Sequence, residues 1–230
     1  MVNVRNIIIT AVAVILLILI IRWLLSSNTK IDGMKDAKKV TKILPESLEQ
    51  SNAANYAYSA WMYVDDWSYR YGEPKIVLGR LDSDLNPSPS IVLGAIENNL
   101  LIETTVYPNS KSDSSSKHTC NVTNIPLQKW VNVIVSLYGR TLDVYIDGKL
   151  VRTCVLPGVA KIANTAPVYV TPLGGFSGKT SNVHYYGDAV NPQQAYNIYR
   201  AGYGGIGIDF PYSVKVEFLE DGSKKGSFEI

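Results

Sequence analysis

The chain has 230 residues, 46% hydrophobic and 18% charged, with a formal net charge of +2. That length holds one domain with a full core plus additional segments. The near-neutral balance excludes nucleic acid as the main partner, because phosphate binding needs a concentrated basic field. Fifteen Tyr and seventeen Gly against three Met and four Phe favour β-structure with many turns.

In chain order, residues 7–21 carry no charge, and the apolar run from Ile7 through Leu16 and Ile21 continues past Arg22 and Trp23 to Leu25. Nineteen residues at helical rise cover about 30 Å of hydrocarbon, with Arg22 snorkelling and Trp23 at the interface. No small-residue cleavage site follows directly, so residues 1–25 read as an uncleaved anchor in the lipid bilayer rather than a signal peptide. Arg5 precedes the run, whereas Arg22, Lys30, Lys35, Lys38, Lys39 and Lys42 follow it. The positive-inside rule then puts the C-terminal domain on the cytoplasmic side. Linked to this are free thiols at Cys120 and Cys154 and an unmodified sequon at Asn121-Val122-Thr123. The opposite orientation reverses all three expectations.

Residues 26–52 are polar and lysine-bearing, a stalk or linker. From residue 53 the pattern becomes β: an aromatic alternating run from Tyr56, then "KIVLGRL", "SIVLGAI" and "NNLLIETTVY", with turn residues between. Residues 108–118, "PNSKSDSSSKH", read as a Ser-rich loop.

The run "WVNVIVSLYGRTLDVYIDGKLV", residues 130–151, specifies its own pairing. A turn at Gly139-Arg140 sets Leu137 against Leu142, Val135 against Val144 and Val133 against Ile146, six apolar residues on one face. A second turn at Asp147-Gly148 sets Val144 against Val151 and Asp143 against Arg152. The other face, with Asn132, Ser136, Asp143, Tyr145 and Arg152, is the candidate ligand or partner surface. Later, "PVYV" and "GGFSGKTSNVHYY" read as strands. "NPQQAYNIYRAG" reads as a helix with Asn191 as N-cap, Pro192 at its first position, Gln194 as capping-box partner and Gly202 at its end. Residues 203–230 form a C-terminal extension, a hairpin turned at Asp221-Gly222. Many short strands and one late helix give an all-β antiparallel jelly-roll sandwich over 53–202, preceded by a single transmembrane helix.

Residues 52–202 resemble the laminin-G-like modules of the concanavalin A-like jelly-roll superfamily. Trp130 enters a strand, Tyr145, Asp147, Gly148 and Lys149 form its hairpin, and Gly175 and Gly178 lead into Asn182, Tyr185 and Tyr186. Pro192, Tyr196 and Tyr199 occupy its closing helix, and Trp61 its early strand. The resemblance implies a fold that carries lectins, adhesion modules, glycosidases and capsid-type scaffolds. An anchor followed directly by such a module also resembles small membrane-anchored virion (minor capsid) proteins of large DNA viruses.

Catalytic patterns are missing from the sequence. The laminarinase-like E-x-D-x-x-E run does not occur; Glu217 and Glu220 lie in the tail, and Asp65 and Asp66 alternate faces on one strand. Gly202, Gly204 and Gly207 match a dinucleotide fingerprint in spacing but follow a helix end, and "GGFSGKT" leads into a strand. His118 and His184 have no second ligand at useful spacing. No cofactor is expected. Asp82, Asp84 and Asp147 are weak calcium candidates at loop positions. The period-2 aromatics Tyr56, Tyr58, Trp67, Tyr69 and Tyr71 read as a buried face before a sugar platform. The expectation is a non-enzymatic structural tether whose jelly roll docks on a protein assembly such as a capsid lattice. A membrane-displayed carbohydrate-binding module is the alternative, with an anchored glycosidase behind both.

Overall fold

The computed structural model describes residues 16–17, 30–48, 55–107, 115–204, 215–220 and 223–229, with Lys30 and the last two segments in backbone only. Two compact units divide the chain: residues 1–25 with 206–230, and residues 26–205. In the first, Lys215–Glu220 pairs antiparallel with Ser223–Glu229, the expected terminal hairpin. Leu16 and Leu17 are helical and exposed. The candidate anchor residues Ile7, Ile21, Arg22 and Trp23 lie outside the described residues. Among the described residues no helix is long and apolar enough to cross a membrane.

The second unit is a sandwich of two antiparallel sheets. Its strands are β1 (Lys30–Asp32), β2 (Lys35–Asp36), β3 (Thr41–Ile43), β4 (Tyr56–Asp66), β5 (Lys75–Leu81), β6 (Pro87–Leu93) and β7 (Leu100–Val106). These are followed by β8 (Ser116–Val122), β9 (Trp130–Tyr138), β10 (Thr141–Ile146), β11 (Lys149–Val155), β12 (Val168–Val170) and β13 (Ser177–Tyr186), then helix α1 (Pro192–Arg200). One sheet runs β1-β13-β4-β9-β10-β11, with β2 also on β13; the other runs β3-β12-β5-β6-β7-β8.

Strand alternation builds the core between them. Tyr58, Ala60, Met62 and Val64 of β4 and Val131, Val133, Val135 and Leu137 of β9 point inward, against Leu78, Ile91, Leu93, Leu100 and Ile102 of the facing sheet. Arg80 is buried in this interior, where its guanidinium donates to the carbonyls of Asn164 and Ala166 and lies 5.8 Å from the Tyr185 ring. Burial drives the Tyr56 and Tyr58 phenols well above their ordinary pKa.

The β9–β10 register is the one the sequence dictates: Leu137 faces Leu142, Val135 faces Val144 and Val133 faces Ile146. The capping box on α1 is also as expected, with Asn191 and Gln194 exchanging hydrogen bonds.

Four expectations are corrected. The segment read as a stalk folds into the domain: residues 30–43 add one or two strands to each sheet, so the domain starts near residue 30 rather than 53. Strands of two or three residues are too short for period-2 patterning to register. The Ser-rich loop ends earlier than expected, because β8 begins at Ser116; as an edge strand it buries little beyond Cys120 and Val122. On β11 a bulge at Val151 shifts the pairing by one residue, so Val144 faces Arg152 and Asp143 faces Thr153. The shift turns Cys154 toward the core side opposite Leu142, where it bonds to Cys120 across the open edge of the sandwich. The cysteines are therefore a disulfide, not free thiols. Parity explains this, since without the bulge Thr153 would face Leu142.

Candidate functional site

The outer face of the seven-stranded sheet carries the odd-numbered residues of β4 and the even-numbered ones of β9. Its lower half is closed by α1: Ala195 and Val190 pack on Ala57, Ile134 and Tyr145, with Tyr186 and Ile198 at the margin. This corrects the expected ligand face. Asn132, Ser136 and Tyr145 lie buried beneath the helix. Asn132 donates to Ser59 Oγ (3.2 Å), and Ser136 exchanges hydrogen bonds with the Val190 backbone. Only Asp143 and Arg152 stay outside: Asp143 accepts from Thr153 Oγ1 (2.6 Å), and Arg152 lines a separate hollow with Asn121. The short helix was legible in the sequence; which face it would cover was not.

Beyond the helix, five rings form a ladder. Trp61 stacks on Tyr199 (centroids 5.6 Å, 22°), and Tyr203 stacks on Trp130 (4.5 Å, 11°). Tyr203 also meets Trp61 edge-on, and Tyr63 tilts against Trp130 at 5.7 Å. Such pairs contribute about 0.5–1.5 kcal/mol each beyond area burial. They set Trp130 and Tyr63 at the boundary between the covered and the open sheet.

The open end is a groove of about 490 Å³ lined by Asp36, Lys38, Tyr63, Asp65, Trp130, Ser177, Gly178 and Lys179. Strands β2, β4, β9 and β13 supply these residues, except Lys38, which lies in the turn after β2. β13 pairs with both β2 and β4 here, with Lys179 opposite Asp36 on one side and Tyr63 on the other. Gly178 makes the floor possible: at φ 153° its place leaves no room for a side chain, since a Cβ there would stand 1.9 Å from the Tyr63 carbonyl oxygen. Lys38 is held over the Tyr69 ring, with Nζ 4.8 Å from the centroid, and its amide donates to Asp36 Oδ1 (2.9 Å). Asp65 points into the groove. Its neighbour Asp66 turns to the other side and accepts from the Ser68 amide and hydroxyl, which hold its carboxyl below the usual range.

Ring surface, two carboxylates, two ammonium groups and a hydroxyl thus line one shallow groove. That set matches a polyhydroxylated ligand, with apolar faces for the rings and hydroxyls for the charged groups. The signal in the sequence was the alternation Trp61-x-Tyr63-x-Asp65. The aromatics singled out from sequence lie elsewhere. Tyr56 and Tyr58 are core, Trp67 donates to the Ile96 carbonyl and stacks with buried Lys75, and Tyr69 donates to the Gly174 carbonyl.

The calcium candidates do not converge. Asp82 accepts from the amides of Asp84 and Asn86, from Asn86 Nδ2 and from Lys161 Nζ (2.8 Å), and Lys161 heads the causes that push its carboxyl far below the usual range. Asp147 lies on the other sheet, where it accepts from the Asn132 amide and pairs with Lys129 at 3.6 Å. Among the described residues no three His, Cys, Asp or Glu side chains come together to hold a metal ion. Asn121 is exposed on edge strand β8, next to the disulfide.

Two packed antiparallel sheets with this strand order define a jelly-roll sandwich. The protein belongs to the concanavalin A-like lectin/glucanases superfamily, whose model matches residues 38–195, well over half of the chain. Among solved structures it is similar to the binding domain of botulinum neurotoxin DC in a complex with SialylT, with TM-score 0.51 and 13% identity over 64% of this chain and 35% of that one. It is also similar to a structure described as a receptor binding domain, with TM-score 0.50 and 13% identity over 64% of this chain and 35% of that one. The chain spans about a third of the length of these structures, and the likeness shows the fold alone. A comparison with curated proteins gave no match.

Proposed function

We propose that the protein is a non-enzymatic carbohydrate-binding module displayed from a membrane. The groove of Tyr63, Asp65, Trp130, Ser177, Lys179 and Asp36 carries this reading, because it pairs ring surface with carboxylates on an otherwise closed sheet face. The apolar run 7–25 serves as the anchor. The domain sits on the non-cytoplasmic side, an orientation supported by the Cys120–Cys154 disulfide. The basic residues that argued otherwise are weakened as evidence: Lys35 and Lys42 belong to strands of the folded domain, and folded domains translocate largely regardless of charge. In this orientation Asn121 is a glycosylation acceptor.

Glycan-array binding of the full chain in detergent, repeated with Trp130→Ala, tests the reading. Wild type retains a restricted set of glycans, and Trp130→Ala loses about tenfold or more in affinity, the equivalent of one ring contact. A wild-type protein that binds no glycan, or an alanine variant that binds equally well, refutes it.

A protein-docking role, including attachment to a capsid lattice, is favoured by one separate observation. β11 is the last strand of its sheet and exposes Leu150 and Val151. An edge of this kind accepts an added strand.

A further inference from the structure

We infer that the groove selects against acidic sugars and takes a linear, non-acidic glycan segment of about three rings, a length set by strand spacing. The inference deepens the carbohydrate reading and rests on it. Register gives the shape. Trp130 of β9 faces Tyr63 of β4, Tyr63 faces Lys179 of β13, and Lys179 faces Asp36 of β2. Directly paired residues share one side of a sheet, so these four line up in a single row across four strands. Three strand intervals make the row about 14 Å long, room for roughly one sugar ring per interval. The groove around it holds about 490 Å³, within the range of small-ligand sites. Two aromatic rings stand at one end of the row, and an ammonium and a carboxylate at the other.

The aromatic end is fixed in advance. Tyr203 stacks on Trp130 at 4.5 Å and 11°, so one face of the indole is already taken. The Tyr203 carbonyl accepts from Ser181 Oγ, and the Gly202 carbonyl accepts from Asn182 Nδ2 (2.7 Å), which ties this backing ring to β13. A platform held in this way loses little freedom when a ligand stacks on it.

Charge decides the class of ligand. Lys38 lines the groove, but its ammonium is engaged elsewhere. It lies over the Tyr69 ring and, behind the Ser68 hydrogen bonds, helps to hold the Asp66 carboxyl below its usual range. Asp36, Asp65 and Lys179 remain, and among the described residues none of the three is in an ion pair. Two carboxylates against one ammonium leave these open groups at a formal −1. Asp36 closes one end of the row, and Asp65 lines the groove two residues beyond Tyr63 on β4. A uronate, sialate or sulfate therefore meets a carboxylate toward either end. The hydroxyls of a non-acidic ring instead donate to those carboxylates, a charge-assisted hydrogen bond.

The test applies the full chain in detergent to a glycan array that carries sialylated, uronate-containing and sulfated glycans beside uncharged and amine-bearing ones. Wild type retains members of the second set only. A truncation series of the strongest of these gains affinity up to about three rings and then levels off. The double variant Asp36→Asn/Asp65→Asn keeps both side-chain shapes at two exposed positions and turns the open charge from −1 to +1. Acidic members then gain about tenfold or more, the scale of one like-charge contact near a protein surface. Lys179→Gln, also at an exposed position, binds no acidic member. Acidic glycans among the wild-type hits, or a double variant that gains none, overturn the selection and leave the carbohydrate reading standing. Affinity that still climbs well past about three rings overturns the row as the measure of ligand length. A wild type that binds no glycan of either set removes the carbohydrate reading, and the selection falls with it.

Discussion

Replacing Cys120 and Cys154 together by alanine tests both the architecture and the compartment. The bridge spans 34 positions of sequence and joins the edge strands β8 and β11 of the two sheets. In the chain-entropy treatment, a closed loop of that length removes about 13 cal/mol/K from the unfolded ensemble, or about 4 kcal/mol at 25 °C. Each degree of melting shift corresponds to a few tenths of a kcal/mol at this size, so the double variant melts roughly 8–16 °C lower. Alanine suits the site because Cys120 is fully buried and a serine hydroxyl there would lack partners. Urea unfolding of wild type with and without reductant, set beside the double variant, measures the effect. Oxidised wild type is the most stable, and the other two coincide within about 1 kcal/mol. If reductant leaves the wild-type midpoint unchanged, or if alkylation without reduction labels both cysteines, the bridge is refuted. The non-cytoplasmic orientation then loses its support as well.

Other outcomes follow from single contacts. Trp61→Ala removes a nearly buried ring from beneath Tyr199 and Tyr203 and costs about 3–5 kcal/mol; hydrogen exchange over residues 192–200 rises first, and a cost under 1 kcal/mol contradicts the ladder. Asp82 is depressed in the folded state, chiefly by Lys161 and then by the Asn86 amide, against an ordinary value near 3.9. Its contribution is therefore fully present above about pH 5 and is lost progressively as pH falls below that; the slope of unfolding free energy between about pH 5 and pH 2 flattens in Asp82→Asn, and an unchanged slope sinks the assignment. Gly178→Ala drives a methyl into the Tyr63 carbonyl, so it destabilises by more than about 1 kcal/mol and weakens glycan binding through a moved groove floor; a variant of wild-type stability removes that account.

Much of the fold was legible because its determinants are local. The β9–β10 pairing follows from six apolar residues around a two-residue turn, and the Asn191–Gln194 box sits within one helical turn. The candidate groove was far less legible. Trp61, Tyr63 and Asp65 follow one another at period 2, yet Asp36, Trp130 and Lys179 come from strands more than twenty residues away in either direction. The expected face around Asn132 and Tyr145 had the right polarity for a surface. It was withdrawn from solvent by a helix some fifty residues later, an event with no trace in the strand itself.

The sequence alone determined strand alternation, turn chemistry, the helix cap and the family resemblance, because period-2 patterning and turn preferences act over a few residues. Tertiary structure decided which short N-terminal segments join the sheets, where β11 bulges to bring Cys154 to Cys120, and which half of an outer face stays open. Each of these depends on positions distant in sequence meeting with the right side-chain parity. A one-residue shift in pairing reverses that parity without changing any local preference.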